Sequence, residues 1–277
     1  MKYTVVTSFP ISQWETYGER FIKSFIEFWP KDINLLCYCD GYPLPEDAPQ
    51  ADNIQYFDLL DNEDLIMFKE RNKQFDGNGG PKAPYNFYMD AVKFSHKVYA
   101  QDMAFQKLKD VDSDWQRWMI WLDADSVTYE PITHDLLDKI HDDQDQVPDI
   151  IFLGRKNAYA TCSSFISYNL NDVVEVFMDD FISFYNTDEV LKLQCFADNY
   201  VFDRLRLLHE RHGLITRNLT FECEDLDAFD MSPLGNYIVH LKGNKKYLQT
   251  GANINFKASR YIDLCTMVKH YERQNIL

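Results

Sequence analysis

Residues 117–130 read "RWMIWLDADSVTYE": five consecutive apolar side chains (118–122) run straight into two aspartates, Asp123 and Asp125, one residue apart. An unbroken apolar run of this length reads as a strand buried on both faces, the kind found in parallel sheets covered by helices. Working outward, the same character recurs. "YTVVTSF" (3–9) is a β-branched run ended by Pro10, and "INLLCYCDG" (33–41) ends in Asp40-Gly41. "IQYFDL" (54–59), "DIIFLG" (149–154), "SSFISYNL" (163–170) and "YIVHL" (237–241) complete the set of predicted strands.

Helical patterns alternate with them. In 14–29 the apolar residues Phe21, Ile22, Phe25, Ile26 and Trp29 recur at helical spacing, and Pro30 stops the run. Further helices are predicted over 62–75, 88–108, 172–185, 198–213 and 260–274, with a Gly/Pro-rich loop at 76–86. Alternating elements of this kind predict the α/β class: a mixed, mostly parallel sheet with helices on both faces. No repeat or interdomain linker interrupts the 277 residues, so 1–277 reads as a single domain.

Composition narrows the function. Apolar residues make up 45% of the chain, enough for a large core, and the net charge of −16 argues against nucleic acid or anionic membrane as the default partner. The segment from His240 onward departs from this, with seven basic side chains against two acidic ones. Six scattered cysteines without a CxxC pair suggest free thiols in a reducing compartment. The N-terminus lacks the pattern of a signal peptide and no stretch has the length of a membrane span, so a soluble, cytoplasmic protein is expected.

The pattern DxD occurs five times, at 110–112, 112–114, 123–125, 143–145 and 225–227. Only Asp123-Ala124-Asp125 directly follows a strongly apolar strand, and in parallel α/β sheets ligands bind beyond the carboxyl ends of strands. Two carboxylates there repel each other unless a cation lies between them. Oxygen ligands suit Mg²⁺ or Mn²⁺, which also take phosphate oxygens and water. "VHLKGNKKY" (239–247) adds a strand-ending imidazole, His240, then Gly243 for close backbone approach and Lys245 and Lys246 as cations.

Taken in order, the first apolar strand, the acidic end of the second, "WLDADS" in mid-chain and "HLKGNKK" near the end resemble a GT-A-type glycosyltransferase. The likeness is closest to the retaining glycogenin and bacterial galactosyltransferase group. It implies a nucleotide-sugar donor, in the form of a UDP-sugar, in a nucleotide-binding half (1–125). An acceptor half (126–277) would carry the diphosphate-binding C-terminal segment. By the resemblance Asp123, Asp125 and His240 hold Mn²⁺ or Mg²⁺, and Gly243, Lys245 and Lys246 meet the diphosphate. The family's Pro-Trp is missing after the lysines.

"CSSFISYNLND" (162–172) is similar to the family's "NSGxxxxNL" strand, with Ser163 and Ser164 in place of Asn-Ser. "ADNYVFDRL" (197–205) is similar to a helix start near the transferred sugar, which implies Asp198 or Asn199 beside the anomeric carbon. Lys93, with Lys97 one turn on, is the basic residue expected toward the donor. Thr7, Ser8 and Asp40 fall where the fold holds nucleobase and ribose. The implied acceptor is a glycan or small molecule, with a modified DNA base as the remote case.

A rival reading takes "DADSV" as the DxDx[T/V] pattern of haloacid-dehalogenase-type phosphohydrolases, with Asp123 as a phosphorylated nucleophile. That motif usually opens its domain, whereas three strands and three helices precede it here.

Overall fold

The computed structural model describes residues 2–41, 43–77, 85–109, 117–142, 146–155, 160–220 and 228–241. Its first half follows the sequence pattern closely. Strand β1 (Tyr3–Pro10) leads into helix α1 (Glu19–Phe28), then β2 (Asn34–Asp40), β3 (Ile54–Asp58), α2 (Glu63–Arg71), α3 (Ala91–Lys109) and β4 (Trp118–Leu122). The run read as one helix from residue 14 begins instead with a π-helical turn, Trp14–Gly18. Gly18 lies under the ring of Phe9, so close that an added Cβ would be 2.7 Å from a ring carbon. At the end of β2, Gly41 turns the chain with φ +93°, a conformation that favours glycine.

The second half holds β5 (Ser126–Thr128), α4 (His134–His141), β6 (Ile150–Leu153), β7 (Cys162–Asn169), α5 (Asp172–Asn186), α6 (Asp198–Glu210), β8 (Thr216–Asn218) and β9 (Ile238–His240). Seven strands form one sheet in the order β3-β2-β1-β4-β7-β6-β8. All its neighbours pair in parallel except β7, which runs antiparallel to both β4 and β6. The expected mixed, mostly parallel α/β sheet is therefore present. The last predicted strand forms as β9 and, among the described residues, pairs antiparallel with β5 in a separate two-stranded sheet. The predicted helix over 260–274 lies outside the described residues.

Alternation along β4 shows how both faces are covered. Trp118, Ile120 and Leu122 pack with Phe21 and Phe25 of α1 and Leu136 and Leu137 of α4. Met119 and Trp121 point the other way, to Val98 and Phe105 of α3 and Phe177 and Phe181 of α5. Burying each such side chain stabilises the fold by roughly 1.5–3 kcal/mol, and this double coverage is why β4 reads as an unbroken apolar run. No helix among the described residues is long and apolar enough to cross a membrane.

One polar group is sealed inside the first of these layers. His141, the last residue of α4, packs against the rings of Tyr3 and Trp118. Its Nδ1 donates to the Leu137 carbonyl (2.7 Å), leaving Nε2 to accept from the Ser167 hydroxyl (2.8 Å). Burial pushes its pKa down to about 3, so the neutral ring is the folded form. A depressed folded pKa gives stability that is present above the unfolded value and is lost as pH falls. Between pH 6.5 and 5 the wild type should lose about 2 kcal/mol through this group. His141→Leu should show a correspondingly shallower decline, read from urea unfolding at each pH; equal slopes would exclude the assignment.

Candidate functional site

The chain runs from β1 outward to β3, then crosses back to place β4 on the other side of β1. The carboxyl ends of β1 and β4 thus flank a topological switch point, where crevices form in open α/β sheets. Asp123 leaves β4 at this point. Its backbone N–H donates to the Ser164 carbonyl of β7 (3.0 Å), and its carbonyl accepts from Ser126 N–H (3.0 Å). That second bond closes the tight turn that carries Asp125. β5 then pairs with β9 so that Ser126 lies opposite His240, and Leu241 N–H donates to the Asp125 carbonyl (2.9 Å). A three-residue pairing therefore brings together side chains 115 positions apart.

The result is a cluster. Asp123, Asp125 and His240 offer one ligand atom each, all within 4.8 Å of one another. The His240 Nε2 lies 3.0 Å from Asp125 Oδ1. Burial acts to lower the imidazole pKa, but hydrogen bonds with Asp125 and Cys162 and the charge of Asp125 outweigh it and raise the value to about 10. Without a cation, the ring therefore holds a proton facing Asp125. From α1, Arg20 also approaches: burial depresses its pKa and the Asp125 charge opposes that effect.

A second cation sits on the other side of Asp123. Lys97 of α3 donates to Asp123 Oδ1 (2.7 Å), Ser163 Oγ (2.9 Å) and the Ser163 carbonyl, and lies 3.2 Å from Asp198 Oδ2. Its side chain is 12% exposed. Burial acts to lower its pKa, yet Asp123 and Asp198 raise it on balance. The ammonium also lies 5.2 Å from the centre of the Trp121 ring, whose Nε1 donates to Asp123 Oδ1 (2.8 Å). Asp198 is the buried first residue of α6, where the helix N-terminus favours negative charge. Asn199, next in line, donates to the Thr161 carbonyl (3.0 Å) and so braces the entry to β7.

The other expected residues make the following contacts. Lys93 is exposed; its ammonium lies 3.1 Å from the Tyr85 hydroxyl, while Lys97 one turn on is the lysine that meets Asp123. Thr7 is buried within β1, three residues before its end, and donates its hydroxyl to the Leu122 carbonyl (2.7 Å), tying β1 to β4. Ser8 is half-buried and aligned with Tyr38 of β2. Asp40 lies 3.3 Å from Lys69 Nζ and 3.5 Å from His96 Nε2. Burial and then Lys69 push the His96 pKa down. Gly243, Lys245 and Lys246 lie outside the described residues. Arg20, Trp121 and His96 were not singled out from sequence: a helical Arg or His and a strand Trp carry no local signal of the cleft they face.

No protein-family model and no curated protein matches the chain. Solved structures similar to it include the WbbM bifunctional glycosyltransferase in its apo form, at 15% identity and TM-score 0.44 over 79% of this chain and 39% of that one. The chain thus spans well under two thirds of that protein. The galactosyltransferase LgtC, solved with donor and acceptor sugar analogues, is similar at 13% identity and TM-score 0.43, over 77% of this chain and 72% of that one. Mouse xyloside xylosyltransferase 1 is similar at 10% identity and TM-score 0.46, over 79% of this chain and 86% of that one.

The Lys97 bridge gives a direct test. Removing one member of a buried ion-pair group leaves uncompensated charge. Lys97→Met should lower unfolding free energy by about 3 kcal/mol in EDTA, and adding Asp198→Asn should recover part of that loss. Urea unfolding of the single and double variants measures both, and an additive pair would rule out the coupling.

Proposed function

We propose that the chain is a GT-A-type glycosyltransferase. It moves a sugar from a nucleoside-diphosphate donor, a UDP-sugar, to an acceptor hydroxyl, using Mn²⁺ or Mg²⁺ held by Asp123, Asp125 and His240. The observation that carries this reading is the convergence of two carboxylates and one imidazole within 4.8 Å at the carboxyl end of β4. The donor set fits such an ion: hard oxygens dominate, a single nitrogen is tolerated, and positions remain for diphosphate oxygens and water. When bound, the ion supplies Lewis-acid stabilisation of the negative charge that grows on the departing diphosphate.

The rest is the work of side chains. To hold the ion, His240 would present a neutral Nε2, which in the chain alone lies 3.0 Å from Asp125 Oδ1. Lys97 offsets the charge of Asp123 and Asp198 and fixes their spacing, because its ammonium contacts both. Asp198 then serves as the negative group facing the positive charge that develops at the anomeric carbon, and Asn199 positions it through the bond to Thr161. Thr7, Ser8 and Asp40 flank the uridine, with Thr7 acting by holding β1 to β4. Gly243, Lys245 and Lys246 follow His240 in the sequence and are assigned to the diphosphate, where lysine ammonium groups neutralise phosphate charge. We read the transfer as retaining from the His240, Gly243 and lysine motif; Asp198 is engaged by Lys97.

The phosphohydrolase reading gives no task to His240, although the imidazole lies in the cluster. Product analysis separates the two: sugar transfer or slow nucleotide-sugar hydrolysis supports the transferase, and free phosphate from a phosphomonoester supports the rival. UDP with Mn²⁺ should raise the melting temperature of the wild type, and EDTA should remove the shift. Asp125→Ala should stay folded and lose transfer by more than about 100-fold, exceeding the 10–100-fold typical of groups one layer beyond a metal. Full activity in that variant would sink the assignment.

A further inference from the structure

We infer that the exposed rings beside the candidate site form a stacking platform for a neutral oligosaccharide acceptor; this rests on the transferase reading above. Tyr85, Phe87 and Tyr88 are 56%, 45% and 53% exposed, three large aromatic side chains within four residues. They are organised rather than loose. Phe87 meets Phe94 of α3 edge to face at 4.7 Å and Tyr88 at 5.8 Å. The Lys93 ammonium lies 5.5 Å from the centre of the Tyr85 ring and 5.7 Å from that of Phe87. Behind them, Phe94 belongs to a small buried cluster with Tyr200 of α6.

The platform is attached to both elements that carry the site. Lys93 is one helical turn from Lys97 on α3. The Tyr88 carbonyl accepts from Phe196 N–H at 2.7 Å, two residues before Asp198. The rings therefore sit next to the candidate site and not on a remote face.

Exposed apolar surface concentrated in this way marks a binding surface. Aromatic side chains with polar tips suit a ligand that has one apolar face and many hydroxyls. A pyranose has that form: its axial C–H groups lie against a ring face while its hydroxyls reach the Tyr85 and Tyr88 oxygens and Asn86. The charge of the chain, −16, disfavours a polyanionic acceptor at long range. A single lysine shared among rings does not reverse that, so the neutral glycan is the occupant the chemistry favours.

The test uses the full chain and a panel of neutral tri- and tetrasaccharides of glucose, galactose and N-acetylglucosamine, with a ten-residue oligodeoxythymidylate as the nucleic-acid probe. Binding is read by saturation-transfer NMR and titration. At least one saccharide should bind the wild type. Tyr85→Ala and Tyr88→Ala should each weaken it by about 10-fold, the loss of one good ring contact. Tyr85→Phe and Tyr88→Phe should retain it, since stacking needs the ring. No binding by any saccharide, binding that survives both alanine changes together, or binding of the oligonucleotide alone would overturn the platform. The UDP–Mn²⁺ melting shift is measured on the same samples. A wild-type shift without ring-dependent glycan binding defeats the platform alone. Ring-dependent binding without the shift defeats the transferase reading and with it the acceptor role, and leaves the rings as a glycan-binding surface.

Discussion

The ammonium of Lys97, enclosed between Asp123 and Asp198, sets the conditions for everything around it. A carboxylate facing a second carboxylate in a poorly solvated crevice is unstable unless positive charge is close by. Here Lys97 answers Asp123 on one side, and the protonated His240 answers Asp125 on the other. Three carboxylates, Asp198, Asp123 and Asp125, and two cations, Lys97 and His240, meet at the mouth of the sheet. The Lys97 contacts lie within the chain itself, so the side chains are held before any ligand arrives. Preorganisation of this kind is what allows electrostatic stabilisation to act without rearrangement during a reaction.

Each of these charges is delivered by a different part of the topology. β4 supplies Asp123 because the strand is buried on both faces and must end where its first polar residue appears. The antiparallel β7 brings Ser163 and Ser164 back to the same end, giving Lys97 and Asp123 their backbone and hydroxyl partners. The small β5–β9 pair carries His240 to Asp125. α3 and α6 contribute Lys97 and Asp198 from the face opposite α1, while Arg20 of α1 bears on Asp125. A point at which the strand order reverses is where such contributions can meet.

Much of this was legible in the chain. The apolar runs located six of the seven strands of the main sheet to within a residue or two, and the position of "LDAD" after one of them separated Asp123-Asp125 from four other DxD matches. What sequence could not convey was direction and partner. β7 reads like the parallel strands of the sheet because burial on both faces leaves the same apolar pattern whichever way a strand runs. β9 reads as a core strand, yet among the described residues its three residues pair only with β5, and β5 is too short to carry a periodic signal. β8 at the sheet edge and the eight-residue α4 escaped for the same reason of length. Choosing between Lys93 and Lys97 required the position of α3 along its axis relative to β4: the two lie on one face of the helix, and one turn of rise decides which reaches the carboxylates.

The account stands or falls on a cation shared by Asp123, Asp125 and His240. Electron paramagnetic resonance of free Mn²⁺, titrated with protein in the presence of UDP, measures that directly. The wild type should take up one ion per chain, and Asp123→Asn and Asp125→Asn should each leave the ion in solution. Equal uptake by wild type and both variants, or no uptake by any of them, would contradict it.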